Sequence, residues 1–220
     1  MKVEINIPDS LNEITLGQYQ KFEKLNTKEN KDTTFLLQKM IEIFCNLNLK
    51  DVADIKYKSI QEIAAHLNKV FDTKHTLIPT FRLNGVTLGF IPVLDDITLG
   101  EYIDLDESLG DWETIHKAMS VLYRPVIFSK GHKYIVEKYN GLDKAEQMKG
   151  MPLNVVFSAM VFFYNLSNEL TQTILSFLGK EMGKKLTTQQ KQTLGLNGVG
   201  INQYMASLKE MLPNLTKLQD

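Results

Sequence analysis

The chain has 220 residues, enough to bury a substantial core as one domain or two unequal ones, and 23% charged against 43% hydrophobic residues place it among folded globular proteins. Lys plus Arg number 25 against 26 acidic residues, so no global basic field exists to hold nucleic acid, and sequence-specific nucleic acid is not an expected partner. Cys45 is the single cysteine, which precludes an intrachain disulfide; its apolar helical setting of Ile41, Ile43, Phe44 and Leu47 predicts a buried, inert thiol and suits a protein made in a reducing cytoplasm.

Along the chain, the alternation of Val3, Ile5 and Ile7 predicts an edge strand over residues 3–7, and no signal peptide is expected there. A phrase then follows that occurs twice. The first copy runs Ile7, Pro8, Asp9, Ser10, Leu11, Asn12, Glu13, Ile14, Thr15, Leu16, Gly17, Gln18, Tyr19; the second runs Ile91, Pro92, Val93, Leu94, Asp95, Asp96, Ile97, Thr98, Leu99, Gly100, Glu101, Tyr102. The residue before a proline is pushed out of the helical region, so each Ile-Pro pair ends an extended segment. Thr15 and Thr98 then cap a helix, with Gln18 and Glu101 three residues on as the reciprocal half of a capping box. The phrase predicts a strand-to-helix joint used twice.

The first joint starts a helix predicted over Leu16 to Leu25, followed by a polar loop over residues 26–31. A second helix is predicted from Thr34 to Asn46. A capping box at Ser59 with Glu62 predicts a third, carrying Ile63, Leu67, Val70 and Phe71 on one face. Next comes a hairpin signal: Phe81, Arg82, Leu83 and Val86, Thr87, Leu88 flank Asn84-Gly85, the pair suited to a type I′ turn. The second joint leads into helices predicted at Leu99 to Leu109 and Trp112 to Tyr123, with Pro125 as the stop, and Lys133 to Tyr139 alternates as a strand. Met151-Pro152 opens a long apolar helix predicted to reach Leu178; its most apolar stretch, residues 153–166, falls short of the ~20 residues that cross a bilayer. A glycine-rich turn at 195–200 precedes a last helix, Ile201 to Leu212. The fold class is α+β, mainly helical with a small antiparallel hairpin sheet. The expected organisation is an N-terminal strand and helical subdomain (1–78), a hairpin plus helical core (79–178) and a C-terminal helical extension (179–220).

No pattern of residues specifies a reaction. The four histidines, His66, His75, His116 and His132, have no second His or Cys at metal-ligand spacing, and no Gly-x-Ser-x-Gly elbow is present. The glycine run at 195–200 lacks the Lys-Ser or Lys-Thr of a phosphate loop. The expectation is therefore a protein that is not an enzyme, with no catalytic residue, cofactor or metal. Between Leu83 and His116 lie eight acids and no Lys or Arg: Asp95, Asp96, Glu101, Asp104, Asp106, Glu107, Asp111 and Glu113. Such a cluster invites a hard cation, but it fits no EF-hand spacing and five of the acids sit near helix starts, where they oppose the helix dipole; a solvated face or a docking surface for a basic partner is the preferred reading. Arg124 is placed to form a structural ion pair with this segment. Residues 179–220 carry six lysines against three acids, opposite in sign to it. The candidate partner-binding residues are accordingly Asp104, Asp106 and Glu107, together with Tyr204, Met205, Leu208, Met211 and Leu212 on the amphipathic last helix.

These phrases carry a resemblance. The order Ile-Pro-Asp-Ser-Leu with Glu-Ile-Thr-Leu-Gly-Gln-Tyr, a hairpin ending Gly-Phe-Ile-Pro, Asp-Asp-Ile-Thr-Leu-Gly-Glu-Tyr-Ile-Asp-Leu, and Met119 to Pro125 (Met-x-Val-Leu-Tyr-Arg-Pro) resembles proteins of tailed bacteriophages, the crAss-like phages in particular, over about residues 3–178. The resemblance implies a virion protein, structural or packaged cargo of the head or tail, made in the host cytoplasm and working through contacts with other phage structural proteins and with itself. A tail-assembly chaperone absent from the mature particle is the alternative it implies.

Overall fold

The computed structural model describes residues 5–31 and 33–166. It is an α+β fold, mainly helical, with one four-stranded antiparallel sheet in the order β1-β2-β3-β4. The helices are α1 (Leu16–Glu23), α2 (Thr34–Phe44), α3 (Leu49–Ala53), α4 (Tyr57–Phe71), α5 (Leu99–Leu109), α6 (Ile115–Leu122) and α7, described over residues 153–166. The strands are β1 (Thr80–Leu83), β2 (Val86–Phe90), β3 (Tyr123–Lys130) and β4 (Lys133–Val136). The predicted extension of α7 to Leu178, the turn at 195–200 and the last helix lie outside the described residues.

The Asn84-Gly85 turn has the geometry its sequence demands: Asn84 at φ 49° and Gly85 at φ 82° are the two left-handed residues of a type I′ turn, and Leu83 pairs with Val86 across it. Strand β3 corrects the expectation that Pro125 merely stops a helix. Helix α6 ends at Leu122 and the chain passes directly into strand at Tyr123, whose backbone is extended. Pro125 is tolerated because β3 changes partners there. Residues Tyr123 to Pro125 pair with β2 and those from Val126 onward with β4, so the missing N–H falls where the first pairing ends, while the Pro125 carbonyl accepts from the Glu137 N–H at 2.8 Å.

Other boundaries differ from expectation: α1 stops at Glu23 and not Leu25, α2 at Phe44 and not Asn46, and β4 at Val136 and not Tyr139. Residues 5–8 join no sheet; Ile5 and Ile7 instead lay their side chains on the core, and the Pro8 carbonyl lies 3.2 Å from His66 Nε2. Ser59 is not a cap. The Ile55 N–H bonds the Val52 carbonyl, α3 turns straight into α4, and the chain is already helical from Tyr57 behind Lys56. The helix expected from Trp112 begins at Ile115, because the Asp111 carbonyl takes the Thr114 and Ile115 N–H groups in a preceding turn.

Buried side chains from Leu11 to Tyr164 form one contiguous hydrophobic cluster, which runs through residues of both 1–78 and 79–178. Two aromatic groups organise it. Tyr19 stands against Trp112, Phe157 and Phe71 with ring centroids 4.6, 5.4 and 5.8 Å away, and Tyr123 meets Phe81 and Phe90 edge-on at 5.3 Å. Cys45 is buried, and desolvation pushes its thiol up to about 11, which makes it a packing residue.

The repeated phrase is one local structure built twice. In each copy a single 3₁₀ turn, Leu11–Glu13 or Leu94–Asp96, is followed by an extended isoleucine and a capping box. Thr15 Oγ1 accepts the Gln18 N–H at 3.2 Å while Gln18 Oε1 accepts the Thr15 N–H at 2.9 Å; Thr98 and Glu101 make the same pair of bonds at 3.3 and 2.6 Å. The expected result of replacing Thr98 with alanine is a loss of about 1 kcal/mol in denaturant unfolding, the usual value of an N-cap, and a loss near zero would show that the Glu101 half holds the helix start alone.

Candidate functional site

Helix α5 is anchored along one side by charge. Glu101 Oε2 caps the Thr98 N–H while its Oε1 meets Arg124 Nη1 of β3 at 2.9 Å, with both side chains largely buried. Burial pushes the Glu101 carboxyl up, but the bonds from Thr98 and the Arg124 guanidinium outweigh it and hold the group below its ordinary value. One turn on, the Tyr139 hydroxyl donates to Asp104 Oδ2. Leu105, Ser108 and Leu109 are buried on the same side.

The other side of α5 is apolar and faces outward. Leu99, Tyr102 and Ile103 lie on one stripe of the helix, all exposed, and Val93 of the preceding loop is exposed too. Asp106 extends that stripe by a turn, and exposed Asp95, Asp96 and Glu107 border it. Large apolar side chains grouped at the surface and rimmed by charge are the ordinary composition of a protein-binding patch.

The first joint shows how unusual this is. Leu16 and Tyr19, which correspond to Leu99 and Tyr102, are 0% and 7% exposed, against 75% and 53% in the second copy. A segment of the chain itself covers the first joint. Thr15 and Pro152 form an antiparallel bridge in which the Leu16 N–H donates to the Met151 carbonyl at 2.9 Å and the Leu153 N–H donates to the Ile14 carbonyl at 2.8 Å. Gly17 makes room for it, since a Cβ there would stand 3.1 Å from the Lys149 carbonyl oxygen. At Gly100 an added Cβ would meet nothing within 4 Å. The Leu99 N–H and the Ile97 carbonyl, counterparts of the paired groups, have no hydrogen-bond partner among the described residues.

A second polar arrangement lies inside the protein. Gln20 Nε2 lies 3.1 Å from His116 Nδ1, and His116 Nε2 lies 3.0 Å from Glu146 Oε1, which also holds Lys149. With the Gln20 amide donating, Nδ1 accepts and the imidazole is neutral with its proton on Nε2. Burial and then Lys149 lower the His116 pKa, in keeping with that state. These bonds tie α1 to α6 and to the turn Ala145–Gly150, and they place no nucleophile beside the imidazole. Arg124 and His116 are held by different carboxylates. A cavity of about 240 Å³ lies beside Tyr123, Arg124, Tyr139, Gln147 and Met148; among the described residues its lining includes no histidine or cysteine. Among the described residues no group of three or more His, Cys, Asp or Glu side chains is gathered as a metal site would require.

Of the residues singled out in the sequence, Asp104 is half-buried and bonded to Tyr139, whereas Asp106 and Glu107 are exposed on α5. Tyr204, Met205, Leu208, Met211 and Leu212 lie outside the described residues. Arg124 forms the structural ion pair expected of it, with Glu101. What the sequence reading missed is the apolar stripe of Leu99, Tyr102 and Ile103. A signal was present: α5 carries two apolar stripes, this one and Leu105 with Leu109, and a helix on the edge of a core buries one of them. Compared with known protein families, curated proteins and solved structures, the chain matches none. No helix of the described residues is long and apolar enough to cross a membrane.

Proposed function

We propose that this chain is a non-enzymatic bacteriophage virion protein, a structural or packaged component of the head or tail that acts through protein–protein contacts. The observation that carries the contact-forming part is the outward stripe of Leu99, Tyr102 and Ile103, set among exposed acids on a helix joined to the sheet by the Glu101–Arg124 pair. A preformed apolar patch with an acidic rim favours a partner that brings apolar side chains flanked by lysine or arginine, buried contacts supplying affinity and charge steering the encounter. The phage assignment is supported by the resemblance of the repeated phrases and the Met119 to Pro125 segment to tailed-phage proteins.

The test is mass spectrometry of purified particles of the phage encoding the chain, alongside a Leu99→Asp/Tyr102→Asp variant. The expected result is the protein in particles above trace copy number, and a folded variant depleted from them. Abundance in infected lysate with absence from particles would replace this reading with the tail-assembly chaperone, and incorporation of the variant at normal level would remove this face as the docking surface.

A further inference from the structure

Strand β3 reaches beyond the strand it is paired to on one side. Only Tyr123 to Pro125 pair with β2, so from Val126 to the turn at Gly131 and back to Val136 the chain is a two-stranded ribbon. One face of that ribbon is used inside the protein. The Tyr134 hydroxyl donates to the Phe90 carbonyl at 2.7 Å, and Tyr134 and Val126 lie so close over Gly89 that a Cβ there would stand 2.6 Å from the Tyr134 ring and 2.9 Å from Val126. Alternation along β4 therefore turns Ile135 to the other face, where it pairs across the strands with Phe128. These two side chains are 55% and 56% exposed, Ile127 at the bulge beside them is 65% exposed, and none of the three joins the core cluster. The charge around them has one sign. Lys130, His132 and Lys133 are exposed at the end of the ribbon, and no Asp or Glu occurs between Glu113 and Glu137.

The chain thus displays two exposed apolar patches with opposite surrounds, a basic one on the ribbon and an acidic one on α5, where no Lys or Arg occurs between Leu83 and His116. We infer that a second copy of this chain is the partner, the ribbon of one copy laying Phe128 and Ile135 on Tyr102 and Ile103 of the next, with Lys130 and Lys133 meeting Asp106 and Glu107. The inference rests on the reading of the α5 face as a docking surface and names its occupant. Buried apolar side chains supply the affinity, and the opposite charges select the pairing: ribbon on ribbon and α5 on α5 would each bring like charges together. Because the two patches differ, the contact is heterologous. Each copy keeps a ribbon or an α5 face for the next, and the series closes into a ring or runs on as a filament. A single copy leaves its stripe open, so at the dilution of an unfolding measurement Leu99 stays exposed.

The experiment is sedimentation velocity of the purified full-length protein across the micromolar range. The average mass is expected to rise with concentration, and to rise less at high salt, which screens the charges. Phe128→Asp/Ile135→Asp and, separately, Tyr102→Asp/Ile103→Asp should each weaken association at least about ten-fold while circular dichroism stays that of the parent. Mixed, these two variants should form a one-to-one complex, because one keeps its α5 face and the other its ribbon. Lys130→Glu/Lys133→Glu should weaken association in the same way and regain it when mixed with Asp106→Lys/Glu107→Lys. These charge variants change exposed positions alone and decide the matter should an aspartate pair unfold the ribbon. A full chain that stays monomeric would overturn the inference, as would association that survives loss of the ribbon pair, or complementary variants that stay apart on mixing. A monomeric chain whose Leu99→Asp/Tyr102→Asp variant is depleted from particles would remove the second copy and leave the α5 face as the docking surface for another component. Association in solution with normal incorporation of that variant would support the contact between copies and remove the face from particle assembly.

Discussion

Replacing Glu101 with alanine is expected to destabilise the protein by about 3–5 kcal/mol, because it leaves the Arg124 guanidinium buried on β3 without its counter-charge. The same change removes the acceptor for the Thr98 N–H, so the start of α5 and its attachment to the sheet weaken together. Denaturant unfolding of three variants separates the contributions. Glu101→Gln retains an oxygen for the cap and loses the charge, and it should recover only the capping share. The pair Glu101→Leu with Arg124→Met should be far more stable than Glu101→Leu alone, since a buried ion pair replaced whole by apolar groups of similar size costs little. If the single and double variants unfold alike, the Arg124 charge is solvated in the folded protein and the ion pair is not what anchors α5.

Acid should expose the same interaction. The folded protein holds the Glu101 carboxyl below its ordinary value of 4.5, so as pH falls past that value the unfolded chain takes up the proton first and unfolding is favoured. The stability from this group is therefore complete above about 4.5 and is lost as pH falls through the folded value. Glu101→Gln, which cannot titrate, should show a shallower loss of stability over that range.

The second large effect contrasts two leucines that the sequence makes equivalent. Leu16→Ala should cost about 2–5 kcal/mol, the range for a leucine truncated in a closed core, while Leu99→Ala should cost less than about 1 kcal/mol. Both leucines follow the capping threonine of the same phrase, so helix propensity and capping cancel in the comparison and only tertiary cover differs. Equal losses measured by chemical denaturation would mean that Leu99 is covered in the isolated protein as thoroughly as Leu16.

The local events of this fold are written in short stretches of residues. Thr15 with Gln18 and Thr98 with Glu101 form their capping boxes because each box closes within four residues, and Asn84-Gly85 makes its turn because those two residues tolerate left-handed backbone. The α5 boundaries, Leu99 to Leu109, follow from the cap at one end and Gly110 at the other. Strand β3 was not readable in the same way. Its pairing depends on β2 and β4, which lie more than 30 and fewer than 15 residues away, and its proline is permitted only because the strand changes partners there. Ser59 resembles a cap because the four-residue pattern is correct; the three-residue turn from α3 starts α4 two residues earlier, at Tyr57, and overrides it.

The same division applies to the candidate site. Sequence by itself determined that two matching helix starts would form, that Glu101 would sit at the third helical position where the first copy has Gln18, and that acids would crowd residues 95–107. Those outcomes depend on backbone sterics, hydrogen bonds within one turn and composition. Only the tertiary structure decided that Met151-Pro152 covers one start and leaves the other open, that α5 turns Leu105 and Leu109 inward and Leu99, Tyr102 and Ile103 outward, and that Arg124 finds Glu101. Which of two apolar stripes is buried depends on the free energy of packing against residues distant in the chain, and a helix start of the same sequence serves either arrangement.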